Sequence, residues 1–391
     1  MTLPVKWFTN EMRGAPVVNG QPGSLIALLD ACLLTGFGIV TPTAVSVSDG
    51  IATATLPSGQ SFFEGAGVLV SGGTPAELNG EARVLTTSTT QITWATTAAD
   101  GAASGSIEIR YAPVGGWAKV FSGTNLAVYR STDVQSNGHY LRVDDAGTTS
   151  ARVRGYESMT DANTGTGPFP LDAQMSGGGY WFKSNAANAN ANRWKVLADS
   201  RLLMLAIAAG SGANAANTGV VVRGFGDPIA LRPSGDAWGT ILSANGASTG
   251  SGVLAGALNS SAQSSTGGFT ASPRAWQGLG SAVLLNSQPY TGSSAESGID
   301  GTLGQFPSEV DGQLKFSRRY LVEQGTGKPP RGEIPGLRHI PQTGVLAFLA
   351  DGDTVIDADG RRLMAVTSTQ HNNISSAPNG IVAVDITGPW R

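Results

Sequence analysis

Turn residues interrupt this chain at such short intervals that few segments are long enough to hold a stable helix. Glycine alone supplies 54 of 391 residues, and Ser, Thr and Asn crowd the intervals between apolar runs. Glycine gives up the most backbone freedom in a helix, and short polar side chains compete for the backbone's own hydrogen bonds, so these residues favour turns. The runs between the turns are short, rich in β-branched and aromatic residues, and often alternate apolar with polar, as strands with one buried face do. With 40% hydrophobic residues the chain is too apolar to stay disordered. The expected fold class is mainly β: a small β barrel or sandwich module plus a larger β-sandwich, jelly-roll-like domain, with one N-terminal helix.

Three regions follow. Residues 1–43 form an N-terminal arm and helix, in which Leu25, Leu28, Leu29, Cys32 and Leu33 share one face. Ser24 is placed to cap the helix start and Gly36 to stop it. The apolar stripe is expected to dock on the main β domain. Residues 44–112 read as a nearly autonomous small β module whose clearest signal is the hairpin around Asp49-Gly50. Pro113-Val114-Gly115-Gly116 marks its end. Residues 113–391 make the main β domain. Its run at 202–207 reads as a buried strand, its Gly/Ser-rich stretch 234–304 as long ordered loops, and 344–349, 363–367 and 381–386 as three closing strands. No fixed-period repeat is present, which excludes a propeller or solenoid.

Charge narrows the partners. The formal net charge is −3 and only 14% of residues are charged. A nucleic-acid binder would carry a basic stripe, but the basic doublets here are Arg318-Arg319 and Arg361-Arg362, read as solvated surface. The apolar run from Leu202 to Ala209 is too short to cross a bilayer. A single cysteine, Cys32, forms no disulfide within the chain and fits a reducing compartment. The opening Met1-Thr2-Leu3-Pro4-Val5-Lys6-Trp7-Phe8 lacks the apolar core of a signal peptide.

Chemistry-bearing patterns are sparse. Cys32 lies in the apolar stripe and reads as a small buried hydrophobe. His139, His339 and His371 are far apart, and none has a second ligand at metal-site spacing. Gly246-Ala247-Ser248-Thr249-Gly250 matches a nucleophile elbow, but that motif needs a strand before it and a helix after it, and a Ser/Gly tract follows. Asp351, Asp353, Asp357 and Asp359 do not have EF-hand spacing. They read as a hairpin pairing Val355-Ile356 with Leu363-Met364, with a loose Ca²⁺ site as the alternative. Asp144 and Asp145 could act as paired glycosidase carboxylates, yet Ala146-Gly147 after them reads as a turn. Eight Trp are accounted for by core packing, with sugar stacking as the other use. The expectation is no catalytic, cofactor or metal residues, and no enzyme activity.

Several segments carry a resemblance. They are Trp7-Phe8-Thr9, the run from Gly14 to Gly38, Gly73-Thr74-Pro75-Ala76-Glu77-Leu78-Asn79-Gly80, Trp117 to Asn125, Leu141-Arg142-Val143-Asp144-Asp145, and Asp385-Ile386-Thr387-Gly388-Pro389-Trp390-Arg391. Together they resemble a family of virion-associated proteins encoded in structural gene clusters of tailed phages and prophages, including Mu-like siphophages. Residues 210–330 have no counterpart in that likeness. The resemblance implies a structural virion protein of the tail tip or baseplate, assembled in the host cytoplasm and without defined catalytic residues. Its partners would be other tail or baseplate proteins and further copies of itself, with no nucleic acid and no membrane insertion. The alternatives are a receptor-binding, host-attachment protein using the 234–304 loops, a head decoration protein, or a glycan depolymerase built on Asp144/Asp145 or the 351–359 cluster.

Overall fold

The Asp49-Gly50 hairpin forms as expected. Strands Ala44–Ser48 and Ile51–Thr55 pair antiparallel with Ser48 opposite Ile51. Asp49 and Gly50 take φ of 50° and 73°, the left-handed pair that a two-residue turn needs to match strand twist. Val45, Val47, Ala52 and Ala54 point inward while their neighbours face out. The computed structural model describes residues 3–57, 59–208, 220–248, 256–261, 268–292, 299–325, 329–369 and 378–391. Among them the hairpin belongs to an eight-stranded sheet. Strand Gly80–Thr87 shifts register between Val84 and Thr86, and a bulge of this kind increases local bend and twist; the sheet curls into a half-barrel. It also begins upstream of residue 44, because Phe37–Val40 pairs with Glu108–Tyr111.

The N-terminal helix runs from Ser24 to Asp30 and continues as a π turn from Ala31 to Thr35. Gly36 ends it with φ 72°. Leu25, Leu28, Leu29, Cys32 and Leu33 are fully buried. The cap differs from expectation. Gly23 takes the N-cap position, and the Ser24 hydroxyl turns back to donate to the Asn19 carbonyl at 3.0 Å. The free N–H groups of Leu25 and Ile26 donate instead to the Asp145 carboxylate at 2.7 and 3.2 Å. The stripe docks on the main domain, where the Tyr129 hydroxyl donates to Asp30 at 2.8 Å. It also docks on the curled sheet: one apolar cluster joins Leu25 and Leu29 to Val45 and Trp94 on one side and to Tyr129, Leu141 and Trp194 on the other. The chain around Pro113-Val114-Gly115-Gly116 is tied to the helix end, Val114 N donating to Cys32 O at 2.8 Å. That boundary is therefore a turn without a break in packing.

The main domain is β-sandwich-like, and its strands pair antiparallel with one another and with Lys6–Thr9 of the arm in one nineteen-stranded network among the described residues. Strand Gly179–Phe182 returns beside Ile241–Asn245, and Pro330–His339 lies beside Gly380–Asp385. Both are returns of the Greek-key type, in which a strand lies beside the far end of a following meander. Strand Leu202–Ala208, expected as a buried strand, is buried at every position. Alternate side chains enter different cores: Leu203, Leu205 and Ile207 join the cluster around the helix, and Leu202, Met204 and Ala206 join a second one with Val366 and Val384. A period of two divides one apolar run between two layers.

Three expectations need correction. Residues 344–349 are not a strand; Gly344 turns with φ 77° and Val345–Ala347 form a single 3₁₀ turn. Within the 234–304 stretch, expected as long ordered loops, strands Ile241–Asn245, Gly268–Ser272 and Val283–Pro289 alternate with loop among the described residues. Arg319 is not solvated surface. It is fully buried, because Arg318 and Arg319 lie on opposite faces of strand Ser317–Glu323. Arg361 is likewise engaged, with Asp385 and the Pro389 carbonyl.

Candidate functional site

The sequence candidates disperse. Cys32 is buried, and burial pushes its thiol well above the usual range, which keeps it unreactive. Asp144 and Asp145 do not share a groove. Asp144 reaches Arg142 at 3.5 Å near the surface, whereas Asp145 is fully buried against Lys183, also fully buried. Besides capping the helix, Asp145 accepts from Gly23 N through its backbone carbonyl at 2.9 Å, and its N–H donates to Asn125 O at 2.7 Å. Lys183 donates to Asp145 and to the Gln21 carbonyl at 2.6 Å. Burial raises the Asp145 carboxyl and lowers the Lys183 amine. The pair is a strut between three distant segments.

The expected hairpin forms, with Val355 facing Leu363, and three of the four 351–359 carboxylates are engaged in or around it. Asp351 binds Lys195 and accepts from Thr367 N. Asp353 accepts from Ala350 N, and Asp357 from Asp359 N and Arg361 N. No group of three His, Cys, Asp or Glu side chains suited to a metal occurs among the described residues. Ser248 is exposed, and Thr249 and Gly250 of its motif lie outside the described residues, as does His371. His139 and His339 are buried in separate networks. His139 Nδ1 meets Thr240 Oγ1 at 2.7 Å, and that hydroxyl donates to Asp227 at 2.5 Å. His339 Nε2 lies 2.7 Å from Asp300, with Arg319 at 3.4 Å on its other nitrogen. Burial and Arg319 bring His339 down to about 4.

The structure does assemble a cleft that the sequence reading did not name. It opens between the curled sheet and the main sheet, with a cavity of about 520 Å³ and an adjoining lobe of about 130 Å³. Trp7, Phe63, Glu64 and Arg362 line both lobes. Trp7 and Phe63 stack with ring centroids 4.8 Å apart. Strand Lys6–Thr9 supplies one wall by pairing with Arg193–Ala198. Alternation sends Phe8 into the core and leaves Trp7 partly exposed; likewise Phe62 is buried and Phe63 is partly exposed. The available signal was the two aromatic doublets, since neighbouring residues of an extended chain face opposite ways. Lys6 fixes the walls to each other. Its amine, almost wholly buried, binds Glu81 of the curled sheet at 2.7 Å and the Val114 carbonyl at 3.3 Å.

A second surface feature falls within the 234–304 stretch. The Arg274 guanidinium lies 3.9 Å over the Trp238 ring and makes a two-pronged bond to Glu157 at 2.7 and 2.8 Å. Trp276 and Leu279 beside it are 45% and 73% exposed, so core packing does not account for every Trp. Buried Arg331 holds this face from beneath by binding Asp236, Glu323 and the Trp238 carbonyl. No protein-family model matches the chain, and no curated protein matches it.

Proposed function

We propose that the chain is a structural component of a tailed-phage virion, positioned at the tail tip or baseplate and acting through protein–protein contacts. The observation that supports this reading is where the family-like segments meet. The 14–38 segment supplies the helix, 117–125 supplies Asn125 and 141–145 supplies Asp145, and the three are joined by the Asp145 hydrogen bonds to Gly23, Leu25, Ile26 and Asn125. Trp390 of the closing segment packs with Val5. The likeness thus falls on residues that hold the frame, as expected of a protein whose role is to keep its shape in an assembly. Tail or baseplate proteins and further copies of the chain are the partners in this reading. The test is to purify particles made with and without the chain. The reading expects the protein in wild-type particles and incomplete, non-infectious tails without it. Its absence from intact particles, or normal tails without it, contradicts the reading.

A second reading, host-surface attachment, is favoured by the exposed Trp276 and Leu279 beside the Arg274–Trp238 pair. Exposed apolar and aromatic side chains on a rigid base suit recognition. Particles carrying Trp276→Ala should then assemble normally and adsorb poorly to host cells. Normal adsorption leaves assembly as the sole role.

A further inference from the structure

We propose that the cleft between the curled sheet and the main sheet binds an acidic saccharide, a sugar ring bearing a carboxylate. This inference stands on the cleft alone and does not depend on the virion reading. In a chain of formal charge −3, the two lobes are lined by five cations and three carboxylates. The cations differ in how far they are already satisfied. Lys6 is held by Glu81 and Lys195 by Asp351. Among the described residues Arg193 forms an ion pair with the exposed Glu11 alone, at 3.6 Å, and its Nε is buried without a hydrogen-bond partner. Arg83 and Arg362 are exposed on opposite walls, and among the described residues neither guanidinium is engaged by a carboxylate. A guanidinium presents parallel N–H donors that match a carboxylate edge, so these groups are set to receive one.

The remaining lining favours a sugar as the carrier of that charge. Trp7 and Phe63 offer ring surface at the junction of the lobes, against which the C–H face of a pyranose packs. Thr9, Asn10, Ser61 and Glu64 surround the larger lobe with groups that accept or donate to hydroxyls. A cavity of about 520 Å³ lies within the ordinary range for small-ligand sites and has room for a short oligosaccharide. Both walls are fixed by the buried Lys6 contacts, so binding need not order the site first.

Calorimetric titration of the whole chain with trigalacturonate, maltotriose and triglutamate tests this directly. Trigalacturonate should bind saturably, and Arg362→Gln should weaken it by ~10-fold, the scale of one charge-assisted hydrogen bond. The Arg83→Gln/Arg362→Gln double variant should bind weaker still, while Arg232→Gln, on an exposed loop away from the cleft, should bind as the parent does. Maltotriose should bind at least ~10-fold more weakly than trigalacturonate, since it lacks the carboxylates. These exposed arginines can be replaced without touching the core, and an unchanged melting temperature verifies it. The proposal is overturned if trigalacturonate does not bind by ~10 mM, if the double variant binds it unchanged, if maltotriose binds equally well, or if triglutamate binds equally well.

Discussion

The two ends of this molecule bury different materials. In residues 3–112 the described buried polar side chains are Lys6 and Ser24 alone, and the interior is Leu, Val, Ile, Ala and aromatic rings. In the half beyond residue 220 the buried set includes Arg223, Thr240, Ser243, Asn245, Ser272, Ser287, Arg319, Arg331, Glu333 and His339. There the hydroxyls tie strands to neighbouring loops: Ser243 donates to Gly256 O, Ser272 to Trp238 O and Thr240 O, and Ser287 to Leu258 O. The first interior is held by area removed from water, which is insensitive to direction. The second depends on directed bonds, each worth little net but costly when one partner is lost. The same architecture is thus stabilised by packing near the N-terminus and, near the C-terminus, by apolar clusters with a polar lattice added to them.

The largest effect is expected where a buried ion pair from the main domain caps the helix of the apolar end. Asp145→Ala strands the Lys183 charge and two helix N–H groups, and should cost ~3–5 kcal/mol. Urea unfolding measures it, and a loss below ~1 kcal/mol would mean that the strut is dispensable. Leu29→Ala, at the centre of the apolar cluster, should cost ~3 kcal/mol with no pH dependence between 4 and 6.5.

The polar end should respond to pH where the apolar end does not. His339 has a folded value of about 4 against an ordinary 6.5, so the unfolded chain binds the proton more readily. Its contribution is complete above 6.5 and is lost as pH falls toward 4, by on the order of 3 kcal/mol. His139 is lowered in the same direction by burial. The melting temperature should therefore fall through this window, and His339→Gln should flatten the slope. An unchanged slope removes His339 as the cause. The smallest effect is expected at Ser272→Ala, ~1 kcal/mol for one buried hydroxyl shared between two carbonyls. If Ser272→Ala costs as much as Leu29→Ala, the distinction between the two interiors fails.

The same distinction explains what the sequence made legible. The Asp49-Gly50 hairpin, the Leu25–Leu33 stripe, the strand at 202–207 and the 355–364 hairpin all follow from apolar periodicity and turn chemistry, and all are present. Strands Ile241–Asn245 and Gly268–Ser272 are hard to see in the sequence because, apart from Ile241 and Leu242, their buried positions are filled by Ser, Thr, Ala and Asn, which look solvated in a sequence. Burial of Arg319 was hidden for the same reason, since its partners Ser287 and His339 lie on other strands. The Ser24 cap failed because a residue over a hundred positions away took its role. The cleft is a meeting of segments around residues 7, 63, 193 and 362, a proximity that no local pattern encodes.

The helix stripe welds the curled sheet and the main sheet into one cooperative unit. Hydrogen exchange of parent and Leu29→Ala protein, followed by mass spectrometry at neutral pH, measures this coupling. The shared cluster of Leu29 with Val45, Trp94, Tyr129 and Trp194 predicts that the substitution lowers protection in strands Ile51–Thr55 and Leu126–Ser131 by the same factor. A loss confined to the curled sheet, with the main sheet as protected as before, would contradict it.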